Sequence, residues 1–263
     1  MVNSATIQLC GGLGNIMFQT SVLKTYCLKN NVEPYLTMDN FQPIHKHLSA
    51  YKDNILSNIE WQSNVDYSTF KVYQEPNFSF NKVPQISEDI LLKGYFQSEK
   101  YFKEYRKEIL ELFTLPEEIQ NKVREKYKDV LEKNPISIHL RLGDYQGQPS
   151  FHPVQKMSYY NRAMDLMPSD SIYLVFSDDI EMCKSIFGES ERFLFIEGNE
   201  DYEDMFLMSL CSHNIIANSS FSWWGAWMNQ NPDKIVVAPE KWFGPSYKNN
   251  DTKDLYCEGW IKI

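Results

Sequence analysis

Apolar positions along this chain fall into short, nearly unbroken runs separated by stretches with a helical rhythm. The first run, residues 5–10, leads into Gly11-Gly12-Leu13-Gly14. After it, Ile16, Phe18, Val22, Leu23, Tyr26 and Cys27 mark the buried face of a helix predicted over residues 15–29. Strand, glycine turn and helix in succession form a Rossmann-like opening, where a ligand can approach a helix N-terminus. The third glycine of a dinucleotide fingerprint is missing. Residues 31–90 are less periodic and rich in Asn, Ser, Tyr and Phe. A strand is expected there over 34–37, then loops or short helices. Tyr35, Trp61 and Tyr67 could stack on a sugar or fill the core. Residues 91–96 read as a strand, and 98–112 and 116–132 as helices, the second with Pro116 in its first turn.

Asn134-Pro135 breaks the chain. Beyond it, strands predicted over 136–139, 171–176, 192–196, 214–217 and 234–238 alternate with helices over 158–167, 179–187, 201–212 and 222–229. Such alternation implies a parallel sheet covered on both faces. The predicted architecture is α/β: two Rossmann-like domains, residues 1–133 and 134–263, facing a cleft.

Ligands of open parallel sheets bind beyond the carboxyl ends of the strands. In the second block four such ends are polar. The first is His139-x-Arg141-x-Gly143-Asp144. Arg141 carries a permanent charge and a fork of donors that matches a phosphate, and Gly143 lets the backbone turn tightly. The same residues fit an ordinary turn with a local ion pair. The second and third ends are Ser177-Asp178-Asp179 and the acidic stretch from Glu197 to Asp204. Asp178 and Asp204 could accept hydrogen bonds from a ribose or a guanine edge, or be helix caps and solvated loop acids. The fourth is Asn218-Ser219-Ser220-Phe221-Ser222, just before a helix holding Trp223, Trp224 and Trp227. Free N–H groups and partial positive charge at that helix start would suit a diphosphate. An N-cap needs only one of the serines.

His45, His47, His139, His152 and His213 show no metal-ligand spacing, and D-x-D, H-E-x-x-H and C-x-x-C are absent. The expectation is phosphate handling without a metal or other cofactor, with positive charge from Arg141. No G-x-S-x-G elbow supports a serine nucleophile.

Composition narrows the picture. The 263 residues are 43% hydrophobic, enough for a real core, and the aromatic share of 14% suits sugar handling as well as packing. A net charge of −9 argues against a nucleic-acid backbone as the main ligand. Five scattered cysteines, Cys10, Cys27, Cys183, Cys211 and Cys257, read as free thiols in a reducing compartment. No run approaches the roughly 20 apolar residues of a membrane span, and no signal peptide precedes the first strand. A cytoplasmic protein is expected, at most peripheral at a membrane.

Six motifs in order resemble the alpha-1,2-fucosyltransferases of glycosyltransferase family 11. They are the glycine turn from Gly11 to Gln19, Gly94 to Phe102, His139 to Tyr145, Phe176 to Asp179, Asn218 to Ala226, and Ala238 to Phe243. The resemblance implies a GT-B fold, with the acceptor on the N-terminal domain and the nucleotide sugar on the C-terminal one. It implies inverting transfer of L-fucose from GDP-beta-L-fucose to a galactose 2-hydroxyl, giving an alpha-1,2 linkage without a required metal. Carried over by position, Arg141 neutralises the diphosphate, while Ser219, Ser220 and Phe221 line the phosphates. Asp204 holds guanine or ribose, Asp178 and Asn218 belong to the donor site, and His139 and Asp144 orient the loop. Gly12, Gly14 and Asn15 face the donor from the other domain. Asp144 is the first candidate for a general base; the alternative is that it fixes the turn or pairs with Arg141. One departure stands out: the family's second arginine is Leu142 here. An arginine restored at 142 is expected to be neutral or to tighten donor binding. A different donor sugar, such as a galactosyl one, and a non-catalytic GDP-sugar or glycan-binding protein are the competing readings.

Overall fold

The computed structural model describes residues 4–38, 41–44, 48–188 and 190–263; His45 and His47 lie outside them. The chain divides into two compact units, Met1–Pro116 with Asp251–Cys257, and Glu117–Asn250 with Glu258–Ile263. Among the described residues no helix is long and apolar enough to cross a membrane.

The first unit opens with β1 (Ser4–Ile7), β2 (Leu9–Gly11) and α1 (Leu13–Asn30). Then come β3 (Glu33–Thr37), β4 (Phe41–Ile44), α2 (Ser49–Lys52), β5 (Glu60–Gln62), β6 (Lys71–Gln74) and β7 (Ile90–Lys93). Two 3-10 turns precede α3 (Arg106–Leu112). Five parallel strands form a sheet in the order β5-β3-β1-β7-β6, and β2 pairs with β4 separately. Chain order therefore reverses between β1 and β7. Helix α1 is buried on nearly every side, which is why small polar residues interrupt its apolar rhythm. Thr20 and Ser21 return their hydroxyls to the carbonyls of Ile16 and Met17, so burial leaves neither unpaired.

The second unit holds α4 (Glu117–Lys126), α5 (Lys128–Leu131), β8 (Ile136–Leu140), α6 (Gly143–Gln146), α7 (Met157–Met164) and β9 (Tyr173–Ser177). It continues with α8 (Ile180–Phe187), β10 (Phe193–Phe195), α9 (Asp201–Leu210), β11 (His213–Ile215) and α10 (Ser220–Met228). It ends with β12 (Val236–Ala238) and β13 (Ile261–Lys262). All six strands are parallel in the order β10-β9-β8-β11-β12-β13. This is the doubly wound order of a Rossmann sheet, with its switch point between β8 and β11. Alternation along β9 feeds two cores. Tyr173 and Val175 pack with Ile138, Leu140 and Tyr160, whereas Leu174 and Phe176 pack with Val123, Tyr127 and Leu207.

That second core moves the expected boundary at 133/134. Val123 on α4, and Tyr127 just after it, bury against the sheet of the second unit, so residues 117–133 belong there. Residues 251–257 return to the first unit because Asp254 is held there. Its carboxylate accepts from Phe80 N at 2.9 Å and pairs with Lys100 at 2.5 Å, and its carbonyl accepts from Ser98 Oγ at 2.6 Å. The helix expected from residue 98 starts only at 106, because Ser98 caps a short 3-10 turn that ends at the fully buried Phe102. Tyr35 is core, and Tyr67 packs on Phe70 with its hydroxyl 2.9 Å from Thr37. Trp61 is half-buried and donates to Leu56 O at 3.4 Å.

Candidate active site

Strand β8 delivers His139 and Arg141 to the carboxyl edge of the second sheet. His139 is 3% exposed, and its carbonyl accepts from Tyr160 OH at 3.1 Å. Burial, helped by the nearby Arg141 charge, pushes the imidazole down to about 3, so it is neutral. Its Nδ1 is buried without a hydrogen-bond partner, and its ring lies 5.6 Å from Phe221.

Arg141 leaves the strand and turns to two carboxylates. Its Nε donates to Asp144 Oδ1 at 2.9 Å and lies 3.2 Å from Asp178 Oδ2. Both closest approaches are to Nε, which leaves the far edge of the guanidinium for a further anion. Burial alone would lower its pKa, but the hydrogen bond to Asp144 and the charges of Asp178 and Asp144 raise it instead. Asp178 also accepts from Leu142 N at 2.9 Å through Oδ1. Gly143 makes that approach possible, since a Cβ there would sit 2.6 Å from Asp178 Oδ2. The pairing with Arg141 is the alternative weighed for Asp144, and it takes one carboxylate oxygen.

Leu142 corrects an expectation. Its side chain is 5% exposed and packs in the core with Leu140, Tyr159 and Val175. An arginine in this conformation would enter that core and not the phosphate loop.

The switch point is bridged by Tyr145, whose hydroxyl donates to Asn218 O at 3.0 Å. Tyr145 lies under Arg141 at 5.6 Å and stacks on His152 at 4.8 Å. Asn218 follows β11. Its Nδ2 donates to Pro153 O and Trp242 O, each at 3.0 Å, so it clamps the loops after β8 and β12. Its Oδ1 is buried without a partner. Ser219 caps α10 by accepting from Phe221 N at 3.3 Å. Ser220 opens the helix, half-buried, and among the described residues no hydrogen bond holds its hydroxyl. The switch point thus joins His139, Arg141, Asp144, Asp178, Asn218, Ser219, Ser220 and Phe221 on one sheet edge.

Asp204 stands apart from them, in the first turn of α9 after β10. It accepts from Asn199 Nδ2 at 2.8 Å, and burial pushes its carboxyl up to about 7. Gly12, Gly14 and Asn15 lie in the first unit, around the start of α1. Gly12 is the N-cap, and Asn15 Oδ1 accepts from Gln97 Nε2 at 2.7 Å. The obligatory glycine there is Gly11, with φ of 80° and no room for a Cβ against Asn15 Nδ2. Two residues of the edge escaped the sequence reading as site members, Tyr145 and His152. An aromatic and a histidine flanking the Arg141 loop were the available signal.

Two parallel-sheet α/β units, one with a polar switch point built around an arginine and a helix start, give the chain a GT-B type fold. Solved structures share the fold. One is the NodZ alpha-1,6-fucosyltransferase soaked with GDP-fucose, with TM-score 0.60 and 10% identity over 87% of this chain and 93% of that one. Another is POFUT1 in complex with GDP-fucose, with TM-score 0.51 and 10% identity over 89% and 97%. The profile of glycosyl transferase family 11 matches residues 2–263, and the chain belongs to that family. An alpha-1,2-colitosyltransferase of Escherichia coli is 31% identical over 97% of both chains. The O-antigen biosynthesis glycosyltransferase WbnK of Escherichia coli is 38% identical over 68% of this chain. The match spans 62% of that relative. The rabbit (Oryctolagus cuniculus) galactoside alpha-(1,2)-fucosyltransferase 2 is 22% identical over 92% of this chain and 75% of its own length.

Proposed function

We propose that this glycosyltransferase moves L-fucose from GDP-beta-L-fucose to a galactose 2-hydroxyl, inverting the anomeric centre to give an alpha-1,2 linkage. The observation that carries the reading is Arg141, held at Nε by Asp144 and Asp178 beside the start of α10. A diphosphate leaving group gains negative charge as its bond to the sugar breaks. A preorientated guanidinium and the free N–H groups of a helix start stabilise that charge more in the transition state than before it. Ser220 adds a hydroxyl donor at the same place. In this reading the charge comes from the protein and no metal or other cofactor is required.

Asp204, far along the same edge, would take the ribose or base, as its protonated or charged carboxyl can donate or accept. Asn218 acts by clamping loops, and His139 by its neutral, buried ring under Phe221. The acceptor's proton passes to a carboxylate or to solvent. Asp144 could take it on the oxygen that its bond to Arg141 leaves open, but in this reading most of the rate comes from leaving-group stabilisation. A second reading, transfer from a colitosyl donor, is favoured by the colitosyltransferase relative that matches over 97% of both chains.

The test is release of GDP or UDP from a donor panel, with lactose as acceptor and EDTA present. The panel holds GDP-fucose, GDP-colitose, GDP-mannose and UDP-galactose. Turnover of GDP-fucose above the others is expected. Preference for GDP-colitose supports the second reading, and turnover of UDP-galactose alone removes both. Restoration of activity only by added metal would remove the metal-independent mechanism.

A further inference from the structure

Among the described residues, the large apolar side chains left exposed include three aromatic ones, Tyr95, Phe151 and Tyr247. Each stands on a loop beyond the carboxyl end of a parallel strand, where sheets of this kind receive ligands. Phe151 and Tyr247 belong to the Arg141 side of the second unit and pack on each other at 5.1 Å. Tyr95 belongs to the first unit and is 47% exposed, two residues past β7, beside the reversal between β1 and β7.

The loop under Tyr95 is fixed at four consecutive positions. Gly94 O accepts from Gln19 Nε2 at 3.1 Å. The N–H groups of Tyr95 and Phe96 both donate to the Glu75 carboxylate, at 2.8 and 3.0 Å. Gln97 Nε2 donates to Asn15 Oδ1 at 2.7 Å. Phe96 is held in the left-handed region at φ 52°, a conformation a bulky residue adopts only where its surroundings impose it. Its ring is fully buried, edge-on to Tyr101 at 5.3 Å. Gly94 has φ of 153° and no room for a Cβ against the Glu75 side chain. All this ordering presents one exposed ring, whose side chain also hydrogen-bonds the Cys10 thiol. A flat, partly exposed aromatic face on so firmly held a loop suits a pyranose, whose C–H face is apolar.

We infer that Tyr95 is the platform on which the acceptor's galactose ring stacks, with Glu75 as the residue that positions it. This rests on the proposed transfer to a galactoside. The test is saturation-transfer NMR with lactose alone on the whole chain, beside kinetics of Tyr95→Ala, Tyr95→Phe and Tyr95→Trp. In the wild type, irradiating aromatic protons should reach H-3, H-4 and H-5 of galactose more strongly than the glucose ring. Tyr95→Ala should lose that signal and raise the KM for lactose about tenfold or more, with the donor KM within about twofold. Tyr95→Phe and Tyr95→Trp keep a ring and should stay within about threefold of the wild type for lactose. The wild-type spectrum needs no variant, so a poorly folded Tyr95→Ala does not spare the idea. Transfer to the glucose ring only, no lactose signal in the wild type, or unchanged lactose binding by Tyr95→Ala overturns it. If no nucleotide sugar is turned over while lactose still binds through Tyr95, the donor reading fails and the subsite stands.

Discussion

In the proposed transfer the chemistry turns on Arg141, and its environment sets what a substitution should do. Asp144 and Asp178 fix the guanidinium through Nε, so charge and orientation are built together. Arg141→Ala should lower kcat by about 10²–10³. Arg141→Lys should recover only part, because an ammonium cannot hold both carboxylates and a phosphate with one planar fork. Near-normal turnover of Arg141→Ala would remove Arg141 from the mechanism, and near-normal turnover of Arg141→Lys would show that charge suffices without the planar fork. Leu142→Arg is now expected to destabilise by more than about 2 kcal/mol, since it puts a charge among Leu140, Tyr159 and Val175. A melting temperature equal to the wild type would show that the arginine escapes the core. Arg141, Asp144 and Asp178 were readable because a polar strand end is conspicuous after apolar residues. The inward turn of Leu142 was readable only by carrying the alternation of β8 one step past its end, with Leu140 in, Arg141 out and Leu142 in.

Asp204 gives a pH dependence at the same scale. Its carboxyl moves from the ordinary 3.8 in the unfolded chain to about 7 in the folded one, chiefly through burial. Between those values the folded state keeps a proton that the unfolded chain has lost. Its contribution therefore falls as pH rises through that window and changes no further above it. Asp204→Asn should remove the decline. Relative to the wild type without ligand, its melting temperature should climb between about pH 4 and pH 7, by the equivalent of about 1–2 kcal/mol once the remaining solvent access to the largely buried side chain is allowed for. Parallel profiles would place the Asp204 pKa near its ordinary value.

Helix α10 shows at the element scale how a structural cap and the proposed phosphate site share one turn. Ser219 is spent on the cap and Ser220 is not. Ser219→Ala should cost about 1 kcal/mol of stability. Ser220→Ala should leave the melting temperature within a degree or so and raise the donor KM several-fold. The reverse pattern would exchange their roles. Ordinary sequence reasoning located this helix because three tryptophans follow a polar strand end. It missed β5, β6 and β13, all at or next to sheet edges, because strands of two to four residues with exposed side chains carry no apolar run.

Among the described residues each unit is built on one large parallel sheet with a chain-order reversal and polar groups at its carboxyl edge, the first unit adding the short β2–β4 pair. That much followed from alternating strand and helix signals. The boundary did not, because α4 and α5 precede the Asn134-Pro135 break yet bury Val123 and Tyr127 on the second sheet. A break in local structure marks where a helix ends, not which core it joins. The return of residues 251–257 to the first unit rests on Asp254 and its contacts with Phe80, Ser98 and Lys100, none of which a linear pattern reveals.

The central claim joins the Arg141 switch point to one product. Its most direct test is the linkage and anomeric form of the sugar made from GDP-fucose and lactose, read by NMR of the purified trisaccharide. Fucose in alpha linkage on O-2 of galactose is the predicted result. A beta linkage, attachment at another hydroxyl, or no trisaccharide from an enzyme that turns over a different donor would contradict the account.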